Sequence, residues 1–288
     1  MGFQYTNIER VATISPTDFY ENYVKPQKPV VIEQLTRDWP AYQKWNLAYI
    51  KQIAGEQIVP LYNNDPVDYN KKVNEPDERM KMADYIDALV ADKTKLRIFL
   101  YSLIKHVPSL QNDFKFPDLK IKLLKGLPFL FFGGRNVNVF MHYDIDYANI
   151  FHFHFAGEKR CILVPPNQTP LMYKIPYSNI CREDIDFDNP DFEHWPALKQ
   201  LRPLMADLKH GEMLYIPEGY WHYMKYITPS FSMSLRALAT QPTHIAKAFL
   251  NLFVIRHFDN FMRRHKGAAW LAYKDERAIA DTHAKLDL

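Results

Sequence analysis

The residues able to do chemistry concentrate between positions 142 and 236. The first group is Met141-His142-Tyr143-Asp144. On a strand, residues two apart share a face, so His142 and Asp144 present an imidazole and a carboxylate side by side. A histidine from a facing strand would complete a set of two histidines and one carboxylate. That set suits non-haem Fe(II) and leaves coordination positions open for a co-substrate and dioxygen. Tyr220-Trp221-His222 supplies the third ligand, because Gly211-Glu212-Met213-Leu214-Tyr215-Ile216-Pro217 reads as a strand and turn ahead of it. By itself a His-x-Asp tripeptide is common, and then marks a surface histidine beside a turn aspartate. Phe151-His152-Phe153-His154-Phe155 offers a rival site. Its two imidazoles share a strand face and, with His142, would make a three-histidine site for another metal. The alternating phenylalanines need a buried face of their own, so His152 and His154 fall on the opposite one. They are expected behind the metal or facing substrate.

The elements that must position these groups follow from the pattern. From about Leu127 to Leu238, short β segments are separated by Pro, Gly and Asn turns. They are residues 129–132, 137–142, 149–155, 160–164, 212–216, 221–226 and 230–237, and they predict an antiparallel sandwich or barrel. Upstream, Ser15 caps a helix with Pro16 at its first position. Residues 29–32 read as a strand, 48–53 as a helix, 58–62 as a strand and 63–79 as a polar mobile loop. A helix over 80–91 and a strand over 96–101 follow. After Pro242, Ile245, Phe249, Leu252, Ile255, Phe258 and Met262 recur at helical spacing, predicting a helix over 243–265. Leu250, Phe253, Val254 and Phe261 occupy its other side. A helix apolar almost all round needs cover on two sides: the barrel for one, a second copy of the chain for another.

Composition excludes several classes. The chain has 288 residues, 47% hydrophobic and 24% charged, which suits a folded chain of one large domain or two small ones. Glycine is scarce, at 9, and neither GxGxxG nor GxxxxGK[ST] occurs, so nucleotide-phosphate loops are not expected. A net charge of +3 does not argue for nucleic acid. No 18-residue apolar run predicts a membrane span. Cys161 and Cys181 are too few for a disulfide framework. With no signal-like N-terminus, the expectation is two reduced thiols in a cytoplasmic protein.

The longer text around the ligands is more specific. It runs in order through His142-Tyr143-Asp144, then Gly157-Glu158-Lys159-Arg160-Cys161-Ile162-Leu163-Val164-Pro165-Pro166, then Asp186-Phe187-Asp188-Asn189-Pro190-Asp191, residues 211–217, and Trp221-His222. This text resembles the cupin-like JmjC oxygenases that use Fe(II) and 2-oxoglutarate, and within them the asparaginyl-hydroxylase branch. Pro29 to Ile32 followed by Trp39-Pro40 is similar to the family's opening, so the resemblance extends over the first 240 residues. It implies a mainly β fold with flanking helices, a double-stranded β-helix (jelly roll) within residues 1–240, with its catalytic core at 127–238. A C-terminal helical segment follows at 241–288, the element through which related hydroxylases dimerise.

The resemblance also implies roles. His142, Asp144 and His222 would be the iron ligands. Lys159 would pair with the distal carboxylate of 2-oxoglutarate, since a dianion entering an apolar barrel needs a fixed cation. The plain alternative is a solvated hairpin lysine. Asn149 is similar to the family's asparagine near the co-substrate, but stands five residues after Asp144 where four is usual, which implies a bulge. Where a threonine commonly precedes the iron histidine, this chain has Asn138-Val139-Phe140-Met141. Asn138 would substitute if a bulge turned it inward. Arg236 stands where an asparagine is expected, and would hold a carboxylate bidentately or else point outward from an edge strand. Tyr101 would face the pocket or simply pack. Trp39, Trp45 and Trp195 read as packing residues.

The expected function is hydroxylation of a protein or peptide side chain, with dioxygen consumed and 2-oxoglutarate converted to succinate and carbon dioxide. The alternatives are the same chemistry on a small molecule or tRNA base, or a non-catalytic cupin-like binding module. Three intact ligands argue against the last.

Overall fold

Ten strands carry the architecture: β1 (Val30–Ile32), β2 (Ile98–Tyr101), β3 (Phe129–Gly133), β4 (Asn138–His142), β5 (Asn149–Ala156), β6 (Lys159–Val164), β7 (Leu204–Leu208), β8 (Met213–Ile216), β9 (Trp221–Tyr226) and β10 (Ser230–Ala237). They belong to a computed structural model that describes residues 2–63 and 75–286. One sheet runs β7-β6-β9-β4, with Thr6–Asn7 added beside β7. The other runs β1-β8-β5-β10-β3-β2, with Arg10–Val11 beside β1. Strands distant in sequence thus lie side by side, as in a jelly roll. All core pairings are antiparallel.

Both sheets are covered on both faces, which explains why β5 and β8 are buried at nearly every position. Between the sheets lie Val31, Ile150, Cys161, Leu163, Leu214, Ile216 and Met224. Behind the β5 sheet, Phe151, Phe153 and Phe155 pack with Phe19, Trp39 and Trp45 of the N-terminal flank. Behind the β6 sheet, Ile162, Val164, Trp221 and Tyr223 pack with Trp195 and with Ile279 of the C-terminal helix. The three tryptophans are therefore packing residues, and Cys161 and Cys181 are buried and unpaired. Among the described residues, no helix is long and apolar enough to cross a membrane.

The turn between β5 and β6 needs a glycine. Gly157 sits at φ +73°, and a Cβ there would lie 2.4 Å from the Pro229 carbonyl oxygen. This tight reversal starts β6 on Lys159.

Three expectations require correction. The expected loop over 63–79 ends sooner: Glu78–Lys81 is a strand paired with Ile58–Leu61, and the helix begins at Met82. Residues 64–74 of that loop lie outside the described residues. β7 was not expected at all, because Leu-Met-Ala-Asp-Leu has no β-branched residue and no alternation. The C-terminal helix is longer than 243–265. Pro242–Leu250 passes through a π turn, Asn251–Ile255, into Arg256–Leu286. Gly267 (φ 49°, ψ −127°) breaks the last helix, and Trp270 and Lys274 turn back to bond Asp259 at 2.8 and 2.7 Å. Apolar side chains from both sides of this segment are uncovered in the single chain: Ile245, Phe249, Phe253 and Phe261 are each at least half exposed.

Candidate metal centre

Strand parity places the three ligands. His142 ends β4 and pairs directly with His222 on β9, so both imidazoles enter the barrel, with ring centroids 4.2 Å apart. Asp144 follows two residues later and turns one oxygen, Oδ1, toward both rings, 3.9 Å from each Nε2. These donors all lie within 4.8 Å of one another, and no other such group of histidine, cysteine or acidic residues occurs among the described residues.

The tautomers favour a metal. His142 Nδ1 bonds the Phe140 carbonyl at 2.9 Å, and His222 Nδ1 bonds the Tyr220 carbonyl at 3.1 Å. A carbonyl only accepts, so each Nδ1 carries the proton and each Nε2 keeps its lone pair for the centre. Burial and then the neighbouring His222 push His142 down to about 3, and burial likewise lowers His222. Burial alone would raise Asp144, but Arg236 and the two imidazoles hold it below the usual carboxylate value. At neutral pH the site offers two neutral imidazoles and one carboxylate, the protonation states a metal requires.

Deeper in the same barrel is Lys159. It is fully buried, and its Nζ meets only neutral groups: Ser232 Oγ at 2.9 Å, His152 Nε2 at 3.3 Å and the face of Tyr226 at 4.1 Å. Burial lowers its pKa to about 7. A buried ammonium without a carboxylate is costly unless an anion arrives. The lysine is thus not a solvated hairpin residue, and its surroundings fit the far carboxylate of a dicarboxylate co-substrate.

His152 and His154 also point inward, from β5, but neither joins the triad. His152 bonds Ser234, and His154 bonds Ser232 and the Gly157 carbonyl. They form a neutral wall around Lys159, both lowered by burial and then by the lysine's own charge. Ser232, Ser234 and Tyr226 were not singled out from sequence. The signal was available: Ser232 and Ser234 share strand parity with Arg236.

Three expected co-substrate residues are elsewhere. Asn149 lies on the outer face of β5, in phase with Phe151, and bonds Glu218, the Leu238 carbonyl and Tyr215. The inward position next to it is Ile150. Asn138 faces outward as well. A bulge does occur, with His142 opposite His222 and Val139 opposite Met224, but it turns Val139 inward and Asn138 toward Tyr223. Tyr101 stacks on His106 and packs against the outer aromatic cluster. Arg236 does point inward, and its guanidinium meets Asp144 and Asp146.

The placement of Asn149 makes a prediction. Asn149→Ala removes the acceptor of the buried Tyr215 hydroxyl, a loss of about 1–3 kcal/mol when a group is left unsatisfied, whereas Glu218 keeps Thr240, Gln241 and His244. Thermal melts should show clear destabilisation while the KM for 2-oxoglutarate stays within about twofold.

Known proteins place the chain in a family. A family model described as a cupin-like domain matches residues 16–247. Lysine-specific demethylase JMJ30 of Arabidopsis thaliana is 28% identical over 240 residues, covering 79% of this chain and 54% of its own length. Lysine-specific demethylase 8 of Xenopus tropicalis is 26% identical, covering 80% and 52%. HSPB1-associated protein 1 of Homo sapiens is 26% identical, covering 77% and 50%. The chain spans about half the length of these relatives. With most of its length matched by that model, the chain belongs to the cupin-like (JmjC) domain family.

Proposed function

We propose that this chain is an Fe(II)- and 2-oxoglutarate-dependent dioxygenase that hydroxylates a side chain of a protein or peptide. The observation that carries the reading is Lys159, a buried ammonium bonded only to neutral groups, inside the barrel that holds His142, Asp144 and His222. A dicarboxylate co-substrate satisfies both ends at once. Bound iron and 2-oxoglutarate supply oxidation of a C–H bond, with succinate and carbon dioxide as by-products. The chain's own part is positioning. His142 and His222 present Nε2, Asp144 presents Oδ1, and Lys159 fixes the far end of the co-substrate. Cys161, Leu163 and Met224 line the inter-sheet space with apolar surface that excludes water.

The names of two relatives favour a second reading on the same chemistry, oxidation of a lysine N-methyl group. Mass spectrometry separates the two. Unmodified and methyl-lysine peptides are incubated with protein, Fe(II), 2-oxoglutarate and oxygen. Gain of one oxygen on an unmodified peptide supports hydroxylation, and loss of a methyl group with formaldehyde supports demethylation. A pool left unchanged while a small molecule is oxidised overturns the protein-substrate reading.

In the same proposal, residues 1–240 carry catalysis and 241–288 pair two copies through exposed apolar side chains that include Ile245, Phe249, Phe253 and Phe261. Sedimentation at micromolar concentration should give twice the 34.1 kDa chain mass. Phe249→Asp with Phe253→Asp should return the single chain. A wild-type monomer contradicts pairing.

A further inference from the structure

The inward arginine next to the metal centre does not behave as a free anion anchor. Arg236 Nη2 lies 2.8 Å from Asp144 Oδ2 and 2.6 Å from Asp146 Oδ1. The other oxygen of Asp144, Oδ1, is the one that faces the two imidazoles, at 3.9 Å from each. The carboxylate is therefore divided: one oxygen points into the donor cluster and the other is held by a guanidinium. Arg236 itself is fixed by strand parity, in register with Ile150 on the inner face of β10.

We propose that Arg236 is a positioning residue that holds Asp144 to a single metal-ligating oxygen, bridging it to Asp146, and is not an anchor for the co-substrate carboxylate. The inference rests on the metal reading of the site. Its physical basis is a count of positions. A six-coordinate metal with three protein donors has three places left, two for a chelating 2-oxo acid and one for dioxygen. A carboxylate that swung to offer both oxygens would take one of them. Oδ2 is already engaged in a charge-assisted bond, so the swing is blocked. Asp146 matters to the same arrangement. Two carboxylates two residues apart repel, and the guanidinium between them removes that repulsion.

Cobalt(II) reports this directly, because its d–d absorption follows the number and arrangement of its ligands. The full chain, wild type and Arg236→Gln, is titrated with Co(II) alone and then with 2-oxoglutarate. The expected result is a changed Co(II) spectrum in Arg236→Gln before any 2-oxoglutarate is added, with Arg236→Lys restoring the wild-type spectrum. A spectrum identical to wild type, together with a tenfold or greater loss in 2-oxoglutarate affinity, overturns the inference and makes Arg236 an anchor. If wild type itself fails to bind Co(II), the metal reading falls and the inference with it, whereas identical wild-type and variant spectra overturn the inference alone. Should the variants fail to fold, a crystal structure of wild type with Mn(II) and 2-oxoglutarate decides. Arg236 is expected to remain on Asp144 Oδ2, and its departure to the ligand's carboxylate contradicts the proposal.

Discussion

Alanine at His142, Asp144 or His222 is expected to abolish Fe(II) binding and 2-oxoglutarate turnover together. Each residue supplies one of three donors that lie within 4.8 Å of one another. Loss of a group that merely orients a ligand typically costs 10–100-fold in metal affinity, so loss of a ligand should exceed about 100-fold. Groups that act as one unit are not additive, and a double substitution should lower turnover little further than either single one. Calorimetric titration with Fe(II) under nitrogen reads the binding, and circular dichroism checks the fold. The three variants should differ in stability. Asp144→Ala leaves the part-buried Arg236 on Asp146 alone and should melt lowest. The pH dependence has a definite sign. Burial holds His142 at about 3 when folded, whereas the unfolded imidazole titrates near 6.5. Between these values the unfolded chain binds more protons, so metal-free stability rises with pH across that window and is lost as pH falls through it. His142→Ala should flatten that slope.

Lys159→Met should produce the second large effect, with stability and activity moving in opposite directions. Methionine keeps the unbranched stem and removes the ammonium. Removing one partner of a buried, hydrogen-bonded charge pair costs about 2–5 kcal/mol, so the KM for 2-oxoglutarate should rise by roughly 30-fold to several thousand-fold. Without co-substrate, the same change should stabilise the fold, because it deletes a cation that meets only Ser232, His152 and the Tyr226 ring. The folded lysine titrates at about 7, below its unfolded 10.5. Between those values the unfolded chain again binds more protons, and wild-type stability rises with pH through the window. At about 1.4 kcal/mol per pKa unit, the window holds several kcal/mol at most. Lys159→Met should lose that slope. The linkage also acts on binding. A dianion favours the protonated lysine, so 2-oxoglutarate affinity should weaken above about pH 7, by at most roughly tenfold per pH unit. Melts and titrations from pH 6 to 9 test both.

Much of the site was legible because strand parity is rigid. His142 and Asp144 follow the period-two rule, and the run from Gly211 to Pro217 delivers His222 to the facing strand. Lys159 was singled out by the resemblance of its Lys-Arg-Cys context, because the glycine turn before it equally suits a solvated hairpin lysine. Asn149 was misplaced for a physical reason. Counting from Asp144 crosses a connection in which Tyr147 is left-handed, at φ 51°, so phase is not carried across it. Counting back from the Gly157 turn puts Ile150, His152 and His154 inward and Asn149 out. Asn138 failed similarly: a bulge can be anticipated, but its exact step decides which residue turns inward. For Arg236 the sequence left an inward carboxylate-holding arginine and an outward edge-strand one both open; the structure turns it inward, onto Asp144 and Asp146, which meet it from another strand's end. Within the barrel, β7 carries no alternation, and outside it the break at Gly267 lies beyond the apolar repeat that marked the C-terminal helix.

The central claim is that the barrel couples a two-histidine, one-aspartate metal site to a lysine-anchored dicarboxylate. The most direct test is conversion of 2-oxoglutarate to succinate by purified protein, with and without Fe(II), in air. The account predicts succinate that requires Fe(II) and oxygen, and that disappears in both His142→Ala and Lys159→Met. Contradiction would be a wild-type protein that binds neither Fe(II) nor 2-oxoglutarate, or succinate that persists at the wild-type rate when either residue is replaced.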